Sequence, residues 1–284
     1  MTTDPFAMIE LADLTLLAAD TANHALALRA LQRSMAGIRF ARAILLTDAL
    51  PPGGVVPPGI DVLPIAPIRS RDDYSRLVLK SLLPYVATSH VLLVQWDGYV
   101  INPGSWDPAF LDCDYIGAKW FWHADGMNVG NGGFSLRSRK LLEALTDPRI
   151  AGEGAEDELI CRTFRPLLSA EFGIRYADAQ LADRFAFEAA YPSGKPFGFH
   201  GLFNFVRVMP QEELAALVPD FSDAIALLPQ CLQLMRNTRA MAHWTAMTAL
   251  TARMLAADPQ HPEALAARAE AARNASPYAG VGRN

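Results

Sequence analysis

Apolar and polar positions alternate through the first third of this chain in two rhythms, one of strands and one of helices. Leu14-Thr15-Leu16-Leu17-Ala18 is a short apolar run that ends at Ala19-Asp20-Thr21, the pattern of a buried strand. Asn23 to Met35 then carries Leu26, Leu28, Ala30 and Leu31 at helical spacing. Ala41 to Leu46 predicts a second strand, ending at Thr47-Asp48, and a loop rich in proline and glycine follows from Pro51 to Gly59. Asp61 to Ile65 predicts a third strand. A helix capped by Asp72 or Asp73, with Leu77, Leu79, Leu82 and Leu83 on it, is expected to reach about Tyr85. Val91 to Val94 is the next strand. Strands alternating with helices imply a mostly parallel sheet flanked by helices on both faces. Ligands of such sheets lie beyond the carboxyl ends of the strands, and Asp20, Asp48 and Asp97 each stand just past a predicted strand end.

From Asn102 to Gly201 the chain is richer in glycine, tryptophan and loops, and after Ser222 strand signals vanish. His243 to Ala257, the turn Asp258-Pro259-Gln260-His261-Pro262, and Glu263 to Asn274 read as helix, turn, helix. That pair is either a helical cap or a single tetratricopeptide-like unit, a repeat that gains stability by stacking. The expected division is an α/β domain over 1–215 and an all-helical extension over 216–284, with a disordered tail from Ser276.

Composition narrows the classes. A chain of 284 residues, 51% of them apolar, allows one large α/β domain with an appendage. A formal charge of −5 and the absence of any basic run argue against nucleic acid as a partner. Cys113, Cys161 and Cys231 are widely separated and odd in number, fit neither a disulfide framework nor a zinc knuckle, and suit a reducing cytoplasm. The N-terminus shows no basic region followed by an apolar one, so no signal peptide is read. No apolar run reaches the roughly 18 residues that a transmembrane helix needs.

The candidate chemistry gathers around Asn128-Val129-Gly130-Asn131-Gly132-Gly133-Phe134-Ser135-Leu136-Arg137-Ser138. Glycines allow close backbone approach and positive φ, and carboxamides donate and accept at once. A stretch without bulk that leads into a strand with Phe134 and Leu136 suits the floor of a sugar site. Upstream, Asp97 ends Val91-Leu92-Leu93-Val94-Gln95-Trp96-Asp97-Gly98; a carboxylate there holds a divalent cation or caps the next turn. Gln95 stands where the usual two-aspartate motif has its first carboxylate. His200, in Gly194-Lys195-Pro196-Phe197-Gly198-Phe199-His200-Gly201, is accessible to a metal, and Lys195 offers a charge to a phosphate. Glu156-Asp157-Glu158 opens a predicted helix, where acidic residues are ordinary and where one of them, Asp157 before Glu156, is placed to act as a base. Trp96, Trp106, Trp120 and Trp122 crowd one region, at least two of them as core, while Asp125 ahead of Asn128 suits sugar hydroxyls.

In this order, Val91 to Gly98, Asp114-Tyr115-Ile116-Gly117-Ala118, Asn128 to Arg137, Glu156-Asp157 and Phe197 to Gly201 resemble a family of microbial proteins known as a domain of unknown function. That family is similar to glycosyltransferases of the GT-A fold, and the resemblance covers roughly Leu14 to Val208. It implies a GT-A-like, mostly parallel sheet, a nucleotide-sugar donor, Mn2+ or Mg2+, and transfer to an acceptor hydroxyl on a saccharide or glycan. The similarity to inverting galactosyltransferases implies Asp157 as base, with Asp97 and His200 as metal ligands. Asp20, Asp48, Gln95, Asn128, Asn131, Gly132, Gly133 and Lys195 are then expected on the donor and its sugar, and Trp120, Trp122 and Asp125 on the acceptor. A nucleotidyltransferase, or a non-catalytic carbohydrate-binding or scaffold protein that docks a protein partner through its C-terminal helices, are the alternatives.

Overall fold

A computed structural model of the chain describes residues 8–50, 53–192 and 194–275. The N-terminal residues and the tail expected to be disordered lie outside the described residues. The chain separates into two compact units, Met1–His200 and Gly201–Asn284.

The first unit is a mixed α/β structure around a six-stranded sheet ordered β3-β2-β1-β4-β7-β6. Its strands are β1 (Ile9–Ala19), β2 (Ile38–Thr47), β3 (Ile60–Pro64), β4 (His90–Val94), β6 (Tyr115–Ile116) and β7 (Phe134–Ser138). β5 (Tyr99–Val100), β8 (Ala186–Phe187) and β9 (Gly198–Phe199) form a second, three-stranded sheet ordered β5-β9-β8. β1 pairs in parallel with β2 and β4, and β2 in parallel with β3, whereas β7 runs antiparallel to β4 and to β6.

Side chains of a strand alternate between the faces of its sheet, and here both faces are apolar. Leu14, Leu16, Ala18, Leu45, Leu92, Val94, Phe134 and Leu136 face one core with Ala27, Leu28 and Leu31 of α1 (His24–Ser34). Leu17, Ala19, Ile44, Leu46, Val91 and Leu93 face another with Val78 and Leu79 of α2 (Arg71–Lys80) and Leu141 and Leu142 of α3 (Arg139–Ala144). Two apolar faces need helices on both sides, the layering the sequence pattern implies.

α2 differs from the sequence expectation at both ends. Its cap is Ser70, whose hydroxyl accepts from Asp73 N at 3.1 Å while the Asp73 carboxylate accepts from Arg69 N at 3.0 Å. The serine precedes the acidic pair and closes a reciprocal box with the second of them. The helix stops at Lys80 and does not reach Tyr85; Leu83–Tyr85 forms a 3-10 turn, because Pro84 cannot continue an α-helix. The acidic helix start is also shorter than expected. α4 (Glu156–Glu158) is one turn, followed by a wide π turn, Leu159–Thr163, before α5 (Arg165–Phe172) and α6 (Ala179–Phe185).

The second unit is helical: α7 (Phe205–Val208), α8 (Gln211–Leu217), α9 (Asp223–Ala226), α10 (Pro229–Ala240), α11 (Trp244–Ala257) and α12 (Pro262–Ala275). α11 and α12 are the expected helix pair. An open groove of about 730 Å3 is lined by Met235, Trp244 and Met247 and by the ion pairs Arg236–Glu263 and Arg239–Glu270. Among the described residues no helix is long and apolar enough to cross a membrane.

Leu16 lies at 0% exposure on the central strand. Leu16→Ala is expected to lower the unfolding free energy by about 2–5 kcal/mol, read from urea denaturation.

Candidate functional site

The four parallel strands end on one edge, and β7 begins there because it runs the other way. Gln95 N, just past β4, donates to Gly133 O at 2.8 Å, so the glycine-rich run Asn131-Gly132-Gly133 lies beside the carboxyl end of β4. The small sheet then delivers its residues to the same place. β5 follows Asp97-Gly98, β8 precedes Glu188 and β9 precedes His200, and His200 N donates to Phe187 O at 3.0 Å.

His200 is the hub. Its Nε2 lies 3.3 Å from Asp97 Oδ1 and 3.2 Å from Gln95 Oε1; its Nδ1 lies 3.1 Å from Glu188 Oε1 and 3.1 Å from the Asn131 carboxamide nitrogen. Burial by itself disfavours the imidazolium. The two carboxylates overcome that penalty and push the His200 pKa well above the ordinary histidine range. Nε2 faces Asp97 and Gln95, and Nδ1 faces Glu188.

The glycines are notches for these side chains. A Cβ on Gly133 would stand 2.0 Å from His200 Nε2, and one on Gly132 would stand 1.8 Å from Glu156 Oε1. Neither glycine has a positive φ; that conformation falls on Asn131, at φ 64°. Asparagine tolerates the left-handed region better than bulkier residues. Its side chain bridges the bend, accepting from Phe134 N at 3.3 Å while facing His200.

Asp157 joins the cluster through the same run. Its Oδ2 accepts from Gly132 N at 3.0 Å and its Oδ1 from Glu158 N at 2.9 Å. Gly132, Asn131 and His200 thus link Asp157 to Asp97. Glu156 turns the other way, into the core, where Oε1 accepts from Arg137 Nη2 at 3.0 Å. Burial raises the Glu156 pKa above the ordinary carboxylate value, and the charge of Arg137 works against the rise.

Asp20 lines a cavity of about 210 Å3 at the ends of β1 and β4, together with Thr21, Asn23, Tyr74, Gln95 and Trp96. Its carboxylate is already engaged, accepting from Ala22 N at 2.7 Å and Asn23 N at 2.5 Å. Asp48 directly follows β2, beyond β1 in the sheet, and pairs with His24 at 3.6 Å. Lys195 is exposed in the stretch before β9. Of the expected aromatic set, Trp106 packs on Phe110 and Phe197, and Trp120 is buried against Gly130. Trp122 is exposed, stacked 6.2 Å from Trp120, with exposed Phe121 at its edge 5.1 Å away. Asp125 is held by both Arg162 Nη atoms, at 3.2 and 2.8 Å, which lowers its pKa to about 2. Asn128 is half-buried, and its carbonyl accepts from Trp120 N at 2.8 Å.

Glu188 and Arg137 are the two members of this cluster that sequence reasoning missed. Glu188 follows a strand of two residues, too short to show a period. Arg137 occupies the polar phase of a strand in which every residue is buried, so its position carried a signal, a cation on a face that the tertiary structure covers.

Donors for a divalent cation are present in part. Among the described residues no three His, Cys, Asp or Glu side chains group to hold a metal ion. Glu188 sits on the far ring nitrogen and cannot share an ion with Asp97. Gln95 Oε1 and Asp97 Oδ1, at 3.2 and 3.3 Å from His200 Nε2, have the spacing of neighbouring ligands, since perpendicular bonds of about 2.1 Å separate their donors by about 3 Å. The set fits a cation bound by few protein groups and completed by substrate oxygens, with Glu188 orienting the imidazole from behind.

The chain belongs to the family DUF5672, described as a protein of unknown function, whose model matches residues 59–200. The match ends on His200. No curated protein matches the sequence. Among solved structures, a glycosyltransferase involved in the glycosylation of the major capsid of PBCV-1 is similar at 13% identity and TM-score 0.41, over 66% of this chain and 91% of that one. The mannosyltransferase PcManGT from Pyrobaculum calidifontis, in complex with GDP-Man and Mn2+, is similar at 13% identity and TM-score 0.40, over 95% and 83%. The glycosyltransferase GlyE of Streptococcus pneumoniae TIGR4 is similar at 12% identity and TM-score 0.40, over 66% and 54%.

Gly133→Ala forces the imidazole out of its notch. A destabilisation of about 1–3 kcal/mol is expected, with the His200 imidazole resonances shifted in NMR spectra of the folded variant.

Proposed function

We propose that this protein is an inverting glycosyltransferase of GT-A type that moves a sugar from a nucleotide-sugar donor to a saccharide hydroxyl. The carrying observation is the convergence of Gln95, Asp97 and His200 on the carboxyl edge, next to the cavity floored by β1 and β4. Parallel sheets bind ligands at that edge, and the ordered motifs resemble the same enzyme class.

In this reading the nucleotide enters the cavity lined by Asp20, Thr21, Asn23 and Trp96, and its diphosphate extends toward Asp97. Asp97, His200 and Gln95 would hold a divalent cation, Mn2+ or Mg2+, which would supply positive charge against that developing on the leaving diphosphate. Asp157 accepts the proton of the attacking hydroxyl as its oxygen bonds to the anomeric carbon and the bond to the diphosphate breaks. Each Asp157 oxygen accepts one backbone N–H, which fixes the carboxylate and leaves further lone pairs for that proton. Asn128 has its carboxamide available for sugar hydroxyls, whereas Asn131 acts through His200 and the backbone. Lys195 is assigned to the donor phosphates.

The acceptor is assigned to Phe121 and Trp122. These residues are 64% and 50% exposed, on a loop tied down by Arg162, which binds Asp125 and donates to Met127 O at 2.8 Å. His123 and Arg162 lie 3.9 and 3.8 Å from Glu158, the neighbour of Asp157, so the aromatic surface is fastened to the turn that carries the base. Aromatic faces pack against the C–H faces of pyranoses, and Asp125 with Arg162 supplies polar groups beside them.

A nucleotide-sugar panel with and without Mn2+ is expected to raise the melting temperature for the true donor only, because a ligand that binds the native state stabilises it by mass action. Asp157→Asn is expected to lose transfer by about 100-fold or more while keeping that shift; transfer near the wild-type rate removes Asp157 as base. Release of pyrophosphate in place of a nucleoside diphosphate would mark a nucleotidyltransferase. Trp122→Ala is expected to raise the acceptor KM about tenfold, the loss of roughly 1.4 kcal/mol of contact, with donor KM unchanged in steady-state kinetics.

A further inference from the structure

We infer that the buried Arg137–Glu156 ion pair is the positioning device of the site: it sets the carboxylate of Asp157 against Gly132. The inference rests on the glycosyltransferase reading for its kinetic consequence and on geometry alone for its structural one.

The turn that carries Asp157 has little to hold it. α4 is three residues long, its cap position is Ala155 without a capping side chain, and the π turn follows at once. Such a segment does not sustain a helix by its own hydrogen bonds. It is anchored from outside. Glu156 reaches through the gap left by the missing Cβ of Gly132 and meets Arg137 on β7. Arg137 is 0% exposed and itself fixed: Nε donates to Ser135 Oγ at 3.0 Å, and the guanidinium lies over the Tyr115 ring at 5.3 Å. Asp157, the next residue, then takes the Gly132 N–H. Two adjacent carboxylates thus grip one glycine, Glu156 through its side and Asp157 through its amide.

A buried ion pair is a poor source of stability, because desolvating both charges offsets most of their attraction, and apolar residues of similar volume often do as well. What an apolar pair lacks is direction. The hydrogen bond from Arg137 Nη2 to Glu156 Oε1, with Arg137 Nε held by Ser135, meets the carboxylate from one direction, and that direction fixes the backbone at Glu156 and hence the Asp157 carboxylate. A misplacement of about 1 Å at a reacting group is enough to cost on the order of 100-fold in rate.

The test compares wild type, Glu156→Gln, and the double variant Arg137→Met with Glu156→Leu, which removes both charges together and so avoids stranding one. Two readouts are taken on each folded protein: exchange of the Gly132 amide by NMR, and kcat and KM for transfer. Faster Gly132 exchange in the double variant is expected, with kcat down on the order of 100-fold, donor KM within a few-fold of wild type, and a smaller loss in Glu156→Gln, which keeps the hydrogen bond. Unchanged Gly132 protection in the double variant overturns the inference whatever the activity, and so does unchanged kcat where wild type transfers sugar. If wild type transfers no sugar from any donor and Gly132 protection still falls, the positioning device stands and the glycosyltransferase reading fails.

Discussion

An imidazole with a carboxylate at each nitrogen holds the functional edge together. Asp97, Glu188 and His200 come from the ends of three different short strands, and no local rule of chain geometry would bring them to one point. Their charges make the arrangement self-consistent. Burial alone disfavours a charged ring, and the two carboxylates offset that penalty from opposite sides of the imidazole. The second sheet depends on this contact, since its strands are two residues each. Strands so short contribute few ladder hydrogen bonds, so side chains supply part of what fixes them.

The glycine run shows why the neighbouring strand has no bulk at its start. Gly130, Gly132 and Gly133 give way to Trp120, Glu156 and His200 respectively. Each missing side chain is a place where a group from a distant part of the chain comes to rest against the backbone. The bend itself belongs to Asn131, whose left-handed backbone is stabilised by its own carboxamide. Removing bulk and adding a polar bridge at the same bend lets one short segment receive the aromatic loop, the acidic turn and the histidine.

Membership in DUF5672 fixes the family over residues 59–200, and this interval contains Gln95, Asp97, Asp157, Glu188 and His200. On the Nε2 side of His200 an amide, Gln95, stands beside a single carboxylate, Asp97. Glu188 adds a second carboxylate on the Nδ1 side of the ring and fixes its orientation.

Much of the sheet was legible because strand and helix periods are local properties of the chain. The runs at Leu14, Ala41, Asp61, Val91 and Phe134 all lie on strands, and the helices at Asn23 and Asp72 stand between them. Ser70 as the cap and Lys80 as the helix end were misjudged because Asp73 imitates a cap and Leu82 and Leu83 continue the apolar pattern past the point where Pro84 forbids a helix. Asp97, Asp157 and His200 were legible as polar residues at strand and helix ends. Their connection was not, since a contact across more than a hundred residues has no period. Glu188 and the partner of Arg137 were invisible for the same reason. The sequence by itself determined which segments form the longer strands of the main sheet and where its carboxyl edge lies, because apolar alternation decides burial face by face. Only the tertiary structure decided which charges meet at that edge and which of two adjacent carboxylates faces the core, because electrostatic pairing depends on distances that folding alone creates.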